Sequence, residues 1–299
     1  MAPTSILAEQ HYRNFTSLLT GEKGFLNQDE IRLLVGSTPE SEKEAIRQGL
    51  ANGSIRIAIG THAVIEPDVN FNDLQFVVID EQHRFGVEQR AELRSKGTNP
   101  HLLVMTATPI PRSLALTMFG DLDISVMDVM PAGRQPIATY VLRPQERERA
   151  YAMIRSQIEN GNQAFIVYPL IDESEKIDAR AAVDDFEALS KNVFPDLKLG
   201  LLHGRMKPSE KDDVMLKFRD KEFDILVSTT VIEVGVDVPN STLMLIEGAD
   251  RFGLAQLHQL RGRVGRGSVA STCLLIPTRE DATEMNVCKR WQSQMMVLS

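Results

Sequence analysis

The feature that most constrains this chain is a set of short, unbroken apolar runs rich in β-branched residues, each halting at a polar or charged side chain. Phe76-Val77-Val78-Ile79 stops at Asp80, Leu102-Leu103-Val104-Met105 at Thr106, and Ile225-Leu226-Val227 at Ser228. Unbroken rather than alternating runs are what strands covered on both faces require. Amphipathic helical stretches lie between them, so the chain is predicted to build parallel α/β sheets. In the first half, strands are expected at Ile55–Ile59, Phe76–Asp80 and Leu102–Met105. A helix is expected with Thr38 as N-cap and Pro39 as its first residue, an apolar face of Ala45, Ile46 and Leu50, and a stop at Gly53.

The segment Pro131-Ala132-Gly133-Arg134-Gln135-Pro136 reads as a linker, and the pattern restarts after it. Strands are expected at Ala164–Val167, Leu199–Leu202, Ile225–Ser228, Leu243–Ile246 and Thr272–Ile276, with helices near Arg147–Glu159, Ser209–Arg219 and Ala255–Arg261. Two α/β halves result, residues 1–132 and 133–299. A length of 299 residues suits two ordinary lobes better than one small domain. The acidic stretch Asp172–Asp185 reads as a solvated loop or helix face.

Composition removes other classes. With 42% hydrophobic and 25% charged residues the chain is neither disordered nor collagen-like. No run approaches the ~20 apolar residues of a membrane span, and no charged-then-apolar leader opens the sequence. Two cysteines, Cys273 and Cys288, make neither a disulfide framework nor a four-cysteine zinc site, so a reducing, cytoplasmic location is expected. A net charge of -8 excludes a wholesale basic nucleic-acid binder but leaves room for a local basic track.

Four segments carry chemistry. Asp80-Glu81-Gln82-His83 sits at a strand's C-terminal end, where open α/β sheets place their ligands. The first carboxylate of such a pair can hold Mg²⁺ and the second can orient or deprotonate a water. A solvated strand end with helix-capping acids is the alternative. Thr106-Ala107-Thr108-Pro109 ends another strand in two hydroxyls able to bond neighbouring loops, or forms an ordinary turn. Gln259-Leu260-Arg261-Gly262-Arg263-Val264-Gly265-Arg266-Gly267 alternates guanidiniums with glycines. That suits charge stabilisation on a transferring phosphoryl group, or a general phosphate patch. Ser228-Thr229-Thr230, followed by Glu233, Gly235 and Asp237, offers hydroxyls and N–H groups to phosphate oxygens, or is structural.

In this order, on these strand ends, the four segments resemble superfamily 2 helicase motifs II, III, V and VI. The wider wording resembles one family among them, the bacterial RecG helicases. Ala2-Pro3-Thr4-Ser5-Ile6-Leu7-Ala8-Glu9-Gln10-His11 is similar to its motif Ia, and Gly60-Thr61-His62-Ala63 to its next DNA-contacting loop. The transcription-repair coupling factor shares much of this but usually has Glu where this chain has Gln82.

The resemblance implies two RecA-like lobes with parallel sheets. It also implies an ATP-dependent DNA helicase or translocase acting on forked or branched DNA in recombination and repair. ATP and Mg²⁺ would be its cofactors, and a monomer in the bacterial cytoplasm, associated with the nucleoid, its state. It places Asp80 on Mg²⁺, directly or through water, and has Glu81 activate the attacking water. Gln82, His83, Thr106 and Thr108 would couple nucleotide to DNA. Arg263 and Arg266 would act as arginine fingers assisted by Gln259, with Gly235 and Asp237 near nucleotide. Pro3, Thr4, Gly60, Thr61, His203, Gly204, Ser228 and Thr229 would follow one DNA strand. His203 as a metal ligand, in a metal hydrolase with Asp80, Glu81 and His83, lacks the ligand spacings.

The chain also departs from that family. It contains no Gly-x-x-x-x-Gly-Lys-Ser/Thr; Gly21-Glu22-Lys23-Gly24 is too short and no hydroxyl follows it. The family's P-loop lies upstream of motif Ia, its N-terminal wedge domain is not found, and no helical hairpin is read at Trp291–Ser299. The first lobe is therefore expected to lack its P-loop strand and to be less stable than the second. Impaired ATP hydrolysis, or nucleic-acid binding without catalysis, is the matching functional expectation for the 299 residues alone.

Overall fold

A computed structural model describes residues 1–21, 24–81, 85–106, 123–127, 135–169, 183–229, 238–265 and 269–279. The chain divides into two compact units, Met1–Ile124 and Ser125–Ser299.

The first unit runs α1 (Ser5–Leu19), β1 (Ile31–Leu34), α2 (Glu40–Asn52), β2 (Ile57–Gly60), β3 (Phe76–Ile79), α3 (Val87–Ser95) and β4 (His101–Val104). β1 pairs in parallel with β2, and β3 with β4. Among the described residues, backbone hydrogen bonds of Met1 and Ala2 link the two pairs. The Met1 amino group donates to the Val78 carbonyl at 2.7 Å, Asp80 N–H to the Met1 carbonyl at 3.0 Å, and Ala2 N–H to the Gly60 carbonyl at 2.9 Å. Burial pushes the Met1 amine down to about 6. One apolar cluster joins Leu34, Ile46, Leu50, Val77 and Ile79, and a second joins Leu7, Ala8, Ile31 and Ile59.

Helix α2 starts one residue later than its sequence suggests. Pro39 takes the cap position with ψ 145°, an extended backbone, and makes no side-chain cap bond. The Thr38 hydroxyl is turned back to accept the Val35 N–H at 3.1 Å, so it serves the turn after β1 rather than the helix. Gly53 ends the helix in the left-handed region at φ 82°, as expected.

The second unit has β5 (Ala138–Val141), α4 (Arg147–Glu159), β6 (Gln163–Tyr168), β7 (Leu199–Leu202), α5 (Pro208–Arg219), β8 (Ile225–Thr229), β9 (Ser241–Glu247), α6 (Leu254–Arg261) and β10 (Thr272–Ile276). Its six strands form one parallel sheet in the order β5-β10-β9-β6-β8-β7. Every residue of β8 and β9 is buried, which accounts for their unbroken apolar runs. Phe165 on β6 packs edge-on against Phe218 of α5, with centroids 4.9 Å apart. Among the described residues no helix is long and apolar enough to cross a membrane.

Candidate nucleotide and nucleic-acid site

In the first unit the parallel pairing of β3 and β4 places their C-terminal ends side by side. Ile79 lies opposite Val104, and Met105 N–H donates to the Ile79 carbonyl at 2.8 Å. Asp80 and Thr106 therefore leave the sheet at the same edge, as their places after the two apolar runs predict. Glu81 has φ +50°, in the left-handed region that a residue with a Cβ adopts at a cost of ~1 kcal/mol or more. Backbone strain of this kind concentrates at functional sites.

Both oxygens of Asp80 are engaged. Oδ1 accepts the Glu81 N–H at 2.9 Å, and Oδ2 lies 2.9 Å from Nε2 of His11. The His11 hydrogen bond holds the Asp80 carboxyl below the usual carboxylate range, although burial opposes it. The carboxylate is thus ionised at neutral pH. Among the described residues no group of three or more His, Cys, Asp or Glu could form a metal cage. A single ionised carboxylate fits Mg²⁺, which commonly takes one or two protein carboxylates and completes its shell with phosphate oxygens and water.

The expected DNA-facing residues of this unit cluster around α1 and β2. Thr4 caps α1, its hydroxyl accepting the Leu7 N–H at 3.4 Å, and Pro3 precedes it. Gly60 ends β2 against a crowded neighbour, since a Cβ there would fall 1.9 Å from the Leu34 carbonyl oxygen. Only glycine fits. Thr61 follows, 3% exposed, with a buried hydroxyl that finds no hydrogen-bond partner among the described residues. The loop beyond it is fastened from α3's end: Lys96 Nζ donates to the Glu66 and Val69 carbonyls, each at 2.8 Å.

In the second unit β7 and β8 bring His203 alongside Thr229, because Leu202 lies opposite Ser228. The Ser228 hydroxyl donates to the Thr229 carbonyl. The buried Thr229 hydroxyl, like that of Thr61, has no partner among the described residues. Burial, then the charges of Lys211 and Arg205, holds the His203 imidazole below its ordinary value. Lys211 also donates to the Gly204 carbonyl at 2.8 Å, fixing the turn into α5. Gln259 is half-buried on α6, and Arg263 is buried in the turn that follows. Gly265 closes that turn at φ +73°, where a Cβ would meet the Ile137 side chain at 2.8 Å. Gln82, His83, Thr108, Gly235, Asp237 and Arg266 lie outside the described residues.

Two features escaped the sequence. One is His11, 69 positions from its partner Asp80. The other is a bidentate pair at the C-terminal end of β9, where Arg147 Nε and Nη2 donate to Glu247 at 2.8 and 3.0 Å. The fork fits the carboxylate, which is what makes burying the Glu247 side chain tolerable. A signal for His11 does exist, namely a histidine seven positions after the helix cap, on the same face as Leu7 and Ala8.

Known helicases resemble both halves of the chain. A DEAD/DEAH box helicase model matches residues 1–117, and a helicase conserved C-terminal domain model matches residues 146–268. The ATP-dependent DNA helicase RecG of Synechocystis is 54% identical over 92% of this chain. That of Thermotoga maritima is also 54% identical over 92%. A solved structure described as RecG bound to a three-way DNA junction superposes with a TM-score of 0.80 at 49% identity, covering 97% of this chain. The chain belongs to the RecG family. Its fold is that family's pair of RecA-like helicase domains with parallel sheets. The chain spans 33% and 35% of the two relatives' lengths and 37% of the solved chain.

Proposed function

We propose that this chain is the ATP-dependent DNA helicase or translocase motor of a RecG-type protein that remodels forked or branched DNA in recombination and repair. The observation that carries the reading is the 49% identity over 97% of the chain to a RecG structure whose description includes a three-way DNA junction. The division of the chain near Ile124 supports two lobes, which this reading bounds at residues 1–132 and 133–299, joined at Pro131–Pro136. A monomer in the bacterial cytoplasm, associated with the nucleoid, completes the proposal.

ATP is the substrate, and Mg²⁺ held by Asp80 would supply charge neutralisation on its phosphates. Glu81 orients and deprotonates the attacking water. Arg263 and Arg266, assisted by Gln259, stabilise charge on the phosphoryl group, and Gly235 and Asp237 lie near nucleotide. Gln82, His83, Thr106 and Thr108 couple nucleotide to DNA. Pro3, Thr4, Gly60 and Thr61 hold one DNA strand in the first lobe, and His203, Gly204, Ser228 and Thr229 hold it in the second. The buried hydroxyls of Thr61 and Thr229, which find no partner among the described residues, support that assignment, because buried polar atoms ordinarily find partners.

No Walker A sequence occurs in the 299 residues, which favours a second statement: by themselves they bind DNA without turning over ATP. The test is ATP hydrolysis with forked DNA, beside DNA binding and an Arg266→Ala control. The expected result is salt-sensitive DNA binding without hydrolysis. Hydrolysis that the control abolishes would refute the second statement, and absence of DNA binding would refute the motor reading.

A further inference from the structure

We propose that His11 is a positioning residue that ties the DNA-holding N-terminus of α1 to the metal-bearing carboxylate of Asp80. The inference rests on the reading of Thr4 and Asp80 given above and adds a physical connection between them. Thr4 is the cap of α1, and His11 lies seven residues on, two turns and about 10 Å along the helix. Residues four, seven, eight and eleven share one helix face. Leu7 and Ala8 are buried on that face, so it is the face packed against the sheet. His11 therefore projects from the core side of α1, where its Nε2 reaches Asp80 Oδ2 at 2.9 Å. Its side chain is 28% exposed.

A core-facing histidine with a carboxylate partner has a bland alternative, a tertiary contact that only fastens α1 to the end of β3. The geometry favours more than that. The acceptor is the carboxylate that immediately precedes the strained Glu81, and its other oxygen is already fixed by the Glu81 N–H. His11 thus sets the carboxylate's remaining rotational freedom. Groups that hydrogen-bond a metal's carboxylate from behind orient it, and removing them commonly weakens metal affinity by about 10- to 100-fold. Because His11 rides on α1, a DNA strand seated at the helix's N-terminus shifts the same rigid element that aims Asp80. Linkage then requires the effect to be reciprocal.

The probe is Mn²⁺ alone, titrated while following paramagnetic broadening of the Glu81 backbone amide, with and without a single-stranded oligothymidylate. Three chains are compared: the parent, His11→Phe, which keeps an aromatic body without the donor, and His11→Gln, which retains an N–H at a similar reach. Expected is broadening at Glu81 in the parent, weakened about 10-fold in His11→Phe and restored in His11→Gln. Oligothymidylate is expected to change the parent's Mn²⁺ affinity by about 5-fold or more, and Mn²⁺ to change oligothymidylate affinity by the same factor. Both couplings vanish in His11→Phe and persist in His11→Gln. A merely structural contact would lower stability without moving this coupling factor.

Unchanged Mn²⁺ affinity in His11→Phe, or coupling that survives there, overturns the inference. So does a parent whose Mn²⁺ and oligonucleotide affinities are independent. Failure of the underlying reading looks different: no broadening at Glu81 in any chain refutes the metal role of Asp80, and no oligothymidylate binding refutes the DNA role of α1.

Discussion

The two units are built from the same strand-and-helix grammar, yet one has a continuous sheet and the other does not. In the second unit six strands hydrogen-bond in unbroken succession, with β6 and β9 at the centre and their side chains almost wholly buried. In the first unit the described strands form two separate pairs, bridged by the backbone of Met1 and Ala2. Phe76 and Leu103, on those short paired strands, are 57% and 47% exposed. A parallel sheet draws its strength from strands covered on both faces and paired on both edges. The four inner strands of the second unit, β10, β9, β6 and β8, meet both conditions, and the described strands of the first meet them only in part.

The largest expected effect probes the stronger unit. Phe165→Ala removes a fully buried ring from β6 and should cost about 3–5 kcal/mol, lowering the urea midpoint of the second unit. If the first unit's transition falls equally, the two do not unfold separately and the comparison fails. Gly60→Ala attacks the weaker unit. Its Cβ would press on the Leu34 carbonyl, a backbone atom that cannot rotate away, so ~3 kcal/mol should be lost in equilibrium unfolding. A neutral result would mean that β1 and β2 separate easily.

Amide hydrogen exchange compares the units directly. Backbone amides of β6 and β9 should exchange at least about 10-fold more slowly than those of β1 to β4, a difference near 1.4 kcal/mol in opening free energy. Equal protection would contradict the account. A chemical reporter sharpens the same comparison. Cys273 on β10 is fully buried and its thiol is pushed up to about 12, so in a Cys288→Ser chain alkylation should follow opening of the second unit alone. Fast labelling of the native chain would show that this sheet opens locally.

The smallest effect is pH-dependent and belongs to the first unit. The folded Asp80 pKa lies below its unfolded value, so its contribution is complete above about pH 5 and is lost as pH falls through the depressed folded value. The urea midpoint of the first unit should decline below about pH 4, and Asp80→Asn should flatten that decline. Identical pH profiles for the two chains would remove Asp80 from the balance.

What could be read beforehand does not follow the division into units. Strands β6, β8 and β9 were legible because burial on both faces writes an unbroken apolar run, and β3 was legible from its apolar run although Phe76 is exposed. Strands β1 and β5 were not. Ile31-Arg32-Leu33-Leu34 carries an arginine, and Ala138–Val141 alternates exposed and half-buried positions. β5 is an edge strand, whose sequence need not be apolar throughout. Helix α1 escaped because only Ile6, Leu7 and Ala8 are buried among its 15 residues. Asp80, Thr106 and Ser228 were legible as the residues that end apolar runs, whereas His203 and Thr229 came as DNA-facing residues only from the family resemblance. Strand pairing brings Asp80 and Thr106 to one sheet edge in the first unit and His203 alongside Thr229 in the second. The contact between His11 and Asp80 was not, since nothing in either segment records a partner 69 residues away.

We propose that each unit binds single-stranded DNA, at the ends of β2 and α1 in the first and of β7 and β8 in the second. The most direct measurement is hydrogen exchange of the 299-residue chain with and without a single-stranded oligonucleotide. The account predicts added protection in two places at once, around Thr4 and Thr61 and around His203 and Thr229, both fading as salt is raised. Protection confined to one unit, or none at either, would contradict it.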